Sequence, residues 1–383
     1  MTQPAPCFLR LALLVLIAAW AAAPAPLGAR QAGGPAGPPV APPAAPQAAP
    51  ATARQDVPPG MSPDATVPGL GDPARFAAFL EMLKGEAVAR GISAAVAARA
   101  LDGLKPLPVV VARDRGQAEA LLSIDTYVRR RLTPATVRTA QRMFVTHRDL
   151  LDKIGKAYGV QPRYLVAVWG LESNFGAFTG VRPTVQALAT LAFEGRRGEL
   201  FKNELFDALR IVERGHADLD AMKGSWAGAM GQPQFMPSSY LKYAEDFDGD
   251  GRRDIWGSRA DVFASIANYL KAYGWSEEAT WGRQVRLPGP VAEVMTRAGA
   301  RGEGCRAERA LSQPRLLAEW QEMGVRAADG GALPAVDRQA SLLDAGDRQF
   351  LVYANYQAIL GYNCANAYAL SVAMLGDRLS STP

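Results

Sequence analysis

Tyr164-Leu-Val-Ala-Val-Trp-Gly-Leu-Glu-Ser-Asn-Phe-Gly176 reads as an unbroken apolar helix with a carboxyl at its end. Eight residues without a charge, Tyr164 to Leu171, lead into Glu172. A helix apolar on every side is buried rather than laid on a surface. Pro162 suits its first turn and Gly176 its end. A carboxyl in that setting is hard to ionise, because leaving water disfavours the charged form. Glu172 is therefore expected to carry its proton near neutral pH, as a general acid must.

Helical periodicity continues outward from this stretch. Upstream, Phe76, Phe79, Leu80 and Leu83 recur on one face and Val96, Ala100 and Leu101 on another. Val137, Met143, Phe144, Leu150, Leu151 and Ile154 carry the pattern to the helix of Glu172. Downstream, residues 183–193, 198–213 and 261–273 read as further helices, and 366–379 as the last. Between them, residues 281–345 hold shorter apolar runs such as Gln284-Val-Arg-Leu-Pro288, broken by Gly and Pro, which suit small strands and loops. The expected class is mainly α (α+β), with helices dominant and a small strand- and loop-rich portion near the C-terminus.

The front of the chain differs. Leu11 to Ala23 carries no charge but is too short to span a bilayer, and small residues with Pro24 and Pro26 follow. Residues 1–29 thus read as a signal peptide, with cleavage after Ala23 or Ala29. Cys7 precedes the apolar run, so it is misplaced for lipid attachment after cleavage. A soluble, exported, periplasmic protein is expected, neither a lipoprotein nor an integral membrane protein. Residues 30–70, rich in Ala and Pro, have too few large apolar side chains to offset the entropy of ordering and read as a disordered linker. Residues 71–383 form the folded unit, within which 281–345 is the strand-rich subregion. With 49% hydrophobic and 21% charged residues, the chain has the composition of an ordinary globular protein. Its net charge of +5 is spread without a basic tail, which argues against nucleic acid and suits an anionic extracytoplasmic polymer. Once the leader is removed, Cys305 and Cys364 remain, either as one disulfide or as two small buried hydrophobes.

Two more motifs carry chemistry. Gly224-Ser-Trp-Ala-Gly-Ala-Met-Gly-Gln-Pro-Gln-Phe-Met-Pro-Ser-Ser239 interleaves amides and a hydroxyl with aromatic surface, which suits a sugar's apolar faces and hydroxyls, or else a tight structural loop. Asp246-Phe-Asp-Gly-Asp-Gly-Arg-Arg-Asp254 spaces carboxylates as in an EF-hand-like calcium loop. Gly257 stands where that loop's closing glutamate belongs. Asp261 either closes a lengthened loop or caps the helix that follows. The ligands would be Asp246, Asp248, Asp250, the Arg252 carbonyl and Asp261, around a structural Ca2+ or Na+; the alternative is an Asp-Gly-rich turn.

Trp169-Gly-Leu-Glu-Ser-Asn-Phe-Gly176, Ala187-Leu-Ala-Thr-Leu-Ala-Phe193, Arg196-Arg197, Ala227-Gly-Ala-Met-Gly-Gln-Pro-Gln-Phe-Met-Pro-Ser-Ser-Tyr240 and Ile266-Ala-Asn-Tyr-Leu270 occur in this order. Together they resemble the lytic murein transglycosylase B family, over residues 72–380. The resemblance implies a lysozyme-like helical catalytic domain. It would cleave the MurNAc–GlcNAc β-1,4 bond of peptidoglycan glycan strands, releasing 1,6-anhydro-muramoyl ends. Carried over by motif, it implies Glu172 as acid and then base, and Ser225 and Gln234 lining the site. It also implies Arg196 and Arg197 toward the substrate's peptide or carboxylate groups, and Tyr127, Asn363 and Tyr368 completing the groove. The cell-wall synthesis machinery is an expected partner.

Glycosidases that hydrolyse need a second carboxylate at a set separation. The motifs supply none: Glu194, Glu199, Glu204 and Asp207 lie on charged helical stretches and read as a solvated face. Asn363 and Tyr368 read equally well as a capped helix start. His147 and His216 lack metal-ligand spacing and read as surface residues. A non-catalytic peptidoglycan-binding scaffold and a hydrolytic muramidase are the alternatives to the transglycosylase.

Overall fold

The computed structural model describes residues 72–116 and 122–380. The expected signal peptide over 1–29 and linker over 30–70 lie outside the described residues. Four helices come first, α1 (Pro73–Ala89), α2 (Ala94–Leu101), α3 (Pro108–Gly116) and α4 (Ile124–Arg131). Next are α5 (Pro134–Thr146), α6 (Arg148–Tyr158) and α7 (Pro162–Ser173). The short strand β1 (Arg182–Pro183) leads to α8 (Thr184–Glu194) and α9 (Gly198–Glu213), and pairs antiparallel with β2 (Lys223–Gly224). Helices α10 (Pro237–Tyr243) and α11 (Arg259–Ala272) follow.

Local chemistry explains where these helices start. The side chains of Asp72, Ser93, Ser123 and Thr133 each accept from a backbone N–H of the first turn of α1, α2, α4 and α5. Proline occupies the opening of α1, α5, α7 and α10, where no N–H partner is lost. The central stretch is α7, and every residue from Tyr164 to Ser173 is buried. Helices α5, α6, α11 and the last described helix, α16 (Asn366–Leu379), pack around it.

Beyond α11 the chain builds one antiparallel sheet from β3 (Gly282–Arg286), β4 (Arg315–Leu316), β5 (Arg326–Ala327), β6 (Gln339–Asp344) and β7 (Gln349–Val352), in the order β4-β6-β7-β3-β5. Three short helices, α12 (Val291–Ala298), α13 (Arg306–Arg309) and α14 (Leu317–Glu322), are interspersed. The period-two alternation of the strands divides two cores. Leu343, Phe350 and Val352 join the large helical core, while Ala340, Leu342 and Leu351 join a smaller one with Val294, Leu317 and Trp320. Finally α15 (Ala354–Tyr362) and α16 (Asn366–Leu379) return to the helical body. The sheet reaches Val352, past the expected limit of 345, because β7 is a four-residue strand closing a hairpin with β6 around Gly346. Among the described residues, no single helix is long and apolar enough to cross a membrane.

Candidate active site

Glu172 lies in the last turn of α7 and is only 3% exposed. The helix stops one residue later at Ser173, where Asn174 and then Phe175 take the left-handed conformation, so Asn174 ends the helix rather than Gly176. Consecutive non-glycine residues in that region are strained, and such strain gathers at functional sites. The turn folds Phe175 back over Gly170, where an added Cβ would lie 2.5 Å from the ring. Ser173 holds the turn by donating to the Trp169 carbonyl (3.1 Å) and accepting from the Gly176 N–H (3.1 Å).

Burial raises the Glu172 carboxyl to about 7, against the lowering pull of the Tyr368 hydroxyl and the Arg131 guanidinium. Tyr368, in the first turn of α16, is buried, and its hydroxyl faces Glu172 without completing hydrogen-bond geometry to a protein group. Tyr127 and Arg131 lie one turn apart on α4, and both bear on this cluster. Arg131 Nη2 donates to the Leu171 carbonyl at 2.5 Å. Tyr362, at the end of α15, is buried near Glu172 and donates to the Pro233 carbonyl at 2.7 Å. Among the described residues, none of the groups acting on Glu172 is a second carboxylate.

The glycine- and glutamine-rich loop is fastened to the same helix. Gln232 accepts from the Trp169 indole (2.7 Å) and donates to the Trp256 carbonyl (2.6 Å), so it latches the loop onto α7. Gln234 is buried with φ of 53° and donates to the carbonyls of Gly231 (2.8 Å) and Thr179 (3.3 Å). Ser225 Oγ accepts from the N–H groups of Ala227 (3.3 Å) and Ala229 (3.2 Å), which closes the preceding turn. Asn363 is 5% exposed and ends α15. It does not cap α16, which begins after Ala365 with no side-chain cap. Arg196 and Arg197 are both paired to Asp114, a buried carboxylate on α3, with Arg196 Nε at 2.8 Å from it.

Tyr127, Glu172 and Tyr368 therefore share one cluster. Arg131, Tyr362 and Asp114 are added by the fold. Each was hidden in sequence: Arg131 within a run of three arginines, Tyr362 within an apolar helix, and Asp114 among charged residues.

Several expected surface groups are interior. Glu204 is buried and accepts from the Ser238 N–H (2.9 Å) and hydroxyl (2.7 Å), which fixes the start of α10. Glu194 accepts from Arg115. Neither is part of a solvated face: a carboxylate that meets a helix N-terminus or a guanidinium in the fold has no signature of it in helical periodicity. His147 is half-buried with its ring edge-on to Trp169 and Phe263, and His216 is half-buried beside Tyr240. Cys305 and Cys364 are joined in a disulfide, with Cα atoms 6.3 Å apart.

At the calcium-type loop, carboxylate oxygens of Asp246, Asp248 and Asp261 lie within 4.8 Å of one another. Asp261 is fully buried and accepts from the N–H groups of Phe247 and Asp254 (both 2.8 Å). It does not cap α11, since Ser258 holds that position. Three converging carboxylates, one of them buried, fit a hard cation. Asp250 accepts from the Arg252 N–H at 2.8 Å and is not part of the converging trio.

The family model for the transglycosylase SLT domain matches residues 75–377. The chain belongs to the transglycosylase SLT domain family. It is 34% identical over 263 residues to the membrane-bound lytic murein transglycosylase B of Escherichia coli K12. That alignment spans 66% of each chain, just under two thirds of the curated relative's length. Among solved structures, SltB3 from Pseudomonas aeruginosa in complex with NAG-anhNAM-pentapeptide superposes with a TM-score of 0.72 at 42% identity, covering 80% of both chains. The Escherichia coli lytic transglycosylase Slt35 in complex with calcium has a TM-score of 0.64 at 28% identity, covering 84% of this chain and 98% of that one. The chain thus shares the lysozyme-like, helix-dominated fold of these relatives, which are named lytic transglycosylases.

Proposed function

We propose that the chain is a peptidoglycan lytic transglycosylase that cleaves the MurNAc–GlcNAc β-1,4 bond without consuming water. The observation that carries this reading is Glu172: a buried carboxyl raised to about 7, on which, among the described residues, tyrosines and an arginine bear instead of a second carboxylate. Protonated Glu172 gives its proton to the leaving glycosidic oxygen as the anomeric carbon becomes cationic. The carboxylate left behind takes the proton from the muramoyl C6 hydroxyl as that oxygen closes on the anomeric carbon. The 1,6-anhydro ring forms, and Glu172 regains its proton. The relative solved with an anhydro-muramoyl peptide supports this product.

Around that step, the Ser225 hydroxyl would orient the muramoyl N-acetyl group, and Gln234, Asn363, Tyr127 and Tyr368 would line the groove. Arg196 and Arg197, pre-aligned by Asp114, would meet peptide-stem carboxylates. Asp246, Asp248 and Asp261 would hold a calcium ion that braces the segment between α10 and α11 and takes no part in proton transfer. The calcium-bound relative supports that assignment. In this reading residues 1–29 direct export to the periplasm, and residues 30–70 tether a catalytic domain spanning 71–383, which works near the wall-synthesis machinery.

Mass spectrometry of sacculus digests tests the reaction. The wild type is expected to release anhydro-muramoyl ends and Glu172→Gln none. Reducing ends from the wild type would replace the transglycosylase with a hydrolase, and undiminished activity in Glu172→Gln would remove the assigned acid.

A further inference from the structure

We propose that Arg131 is a positioning residue for Glu172, fixing the last turn of α7 through the Leu171 carbonyl and placing a cation against the carboxyl as it gives up its proton. The inference rests on the transglycosylase reading for the reaction, but the geometry stands without it.

The last four carbonyls of a helix have no partner inside it, and together they form the negative end of its dipole. Glu172 lies in that last turn, so both burial and the dipole oppose its ionisation. Two of these carbonyls find donors elsewhere: Ser173 accepts from the Phe178 N–H (2.9 Å), and Leu171, directly before the acid, accepts from Arg131. Arg131 reaches it from the end of α4, a helix that packs on α16, so one side chain ties the acid's helix to the elements bearing Tyr127 and Tyr368. Among the described residues, Arg131 from α4, Tyr362 from α15 and Tyr368 from α16 interact with Glu172, and Tyr127 of α4 acts on Arg131 and Tyr368. Arg259 of α11 lies over the Trp169 ring, and His147, between α5 and α6, meets that ring edge-on. Among the described residues, Arg131 is thus the cation that bears on Glu172. A planar guanidinium fits this double duty, since one edge can bond a carbonyl while the charge serves the neighbouring carboxyl.

The test uses the full chain as wild type, Arg131→Gln and Arg131→Lys, with circular dichroism to establish folding. The Glu172 carboxyl is titrated by NMR with 13Cδ-labelled glutamate, its signal assigned by loss in Glu172→Gln. In Arg131→Gln the midpoint is expected to rise by about one unit, and kcat to fall about tenfold with KM within about twofold. Arg131→Lys keeps the charge and should hold the midpoint near that of the wild type, with part of the rate restored. An unmoved midpoint in a folded Arg131→Gln, or a loss confined to KM, overturns the proposal. If Arg131→Gln does not fold, a midpoint in Arg131→Lys displaced by a unit or more overturns it as well. Should the wild type yield no anhydro ends, the proposed reaction falls while the titration still decides the role of Arg131.

Discussion

Glu172 is held at odds with its surroundings. Its pKa in the unfolded chain is near 4.5 and in the fold about 7. The stability contributed by a carboxyl raised in this way is fully present below pH 4.5, is lost as the pH climbs through 7, and does not change further above. Two and a half units correspond to about 3 kcal/mol. Glu172→Gln cannot ionise, so it is expected to exceed the wild type in unfolding free energy by up to about 3 kcal/mol more at pH 8 than at pH 4. Urea denaturation at both values measures this, and an equal difference at the two would show that Glu172 is not strained by ionisation. Activity follows the same proton: kcat/KM should decline above about pH 7, as the free enzyme loses its acid. This residue was legible because burial is written in the eight residues before it. Arg131, Tyr362 and Asp114 were not, since their roles arise where α4, α15 and α3 meet partners far along the chain. Local periodicity records which face is buried, not whom it meets.

At the level of elements, helices with proline starts and apolar stripes were readable to within a few residues, as the last helix over 366–379 illustrates. The small sheet was harder. Strands of two residues such as β4 and β5 have no alternation to detect, and their existence depends on pairing with β6 and β3. The cation loop lies between these cases, since its acidic spacing was plain, whereas the place of Asp261 was not. Asp261 is a buried carboxylate raised by desolvation first and further by the Asp248 charge. A cation shared by the three carboxylates would remove that cost, and by binding only the folded state it would raise the melting temperature. Chelation is therefore expected to lower the melting midpoint by roughly 5 °C, and Asp261→Asn to abolish the response. An identical thermal melt with and without chelator would argue that hydrogen bonds alone hold the loop.

Across the whole molecule, the strand-rich portion and the helical body share the sheet between their two cores, and the disulfide joins them covalently. Sequence left Cys305 and Cys364 undecided, because no local pattern brings together residues 59 positions apart. The fold places them beside further links: the Ala307 N–H meets Cys364 Sγ at 3.3 Å, and the Asn366 amide donates to the Ala307 carbonyl at 2.9 Å. Asn366 in turn accepts from the buried Tyr356 hydroxyl (3.2 Å). The staple thus grips the segment between α15 and α16 that carries Asn363 and leads to Tyr368. A cross-link closing a loop of this length restricts the unfolded chain by about 4 kcal/mol in the chain-entropy picture. Cys305→Ser with Cys364→Ser is expected to lose stability of that order while keeping its helical circular dichroism. Because Asn363 adjoins one anchor, the double variant should also show a raised KM for glycan strands before it shows any loss of fold. Denaturation and steady-state kinetics on the oxidised, reduced and substituted proteins measure both effects. A stability loss with KM unchanged would mean that the bridge secures the molecule without shaping its groove.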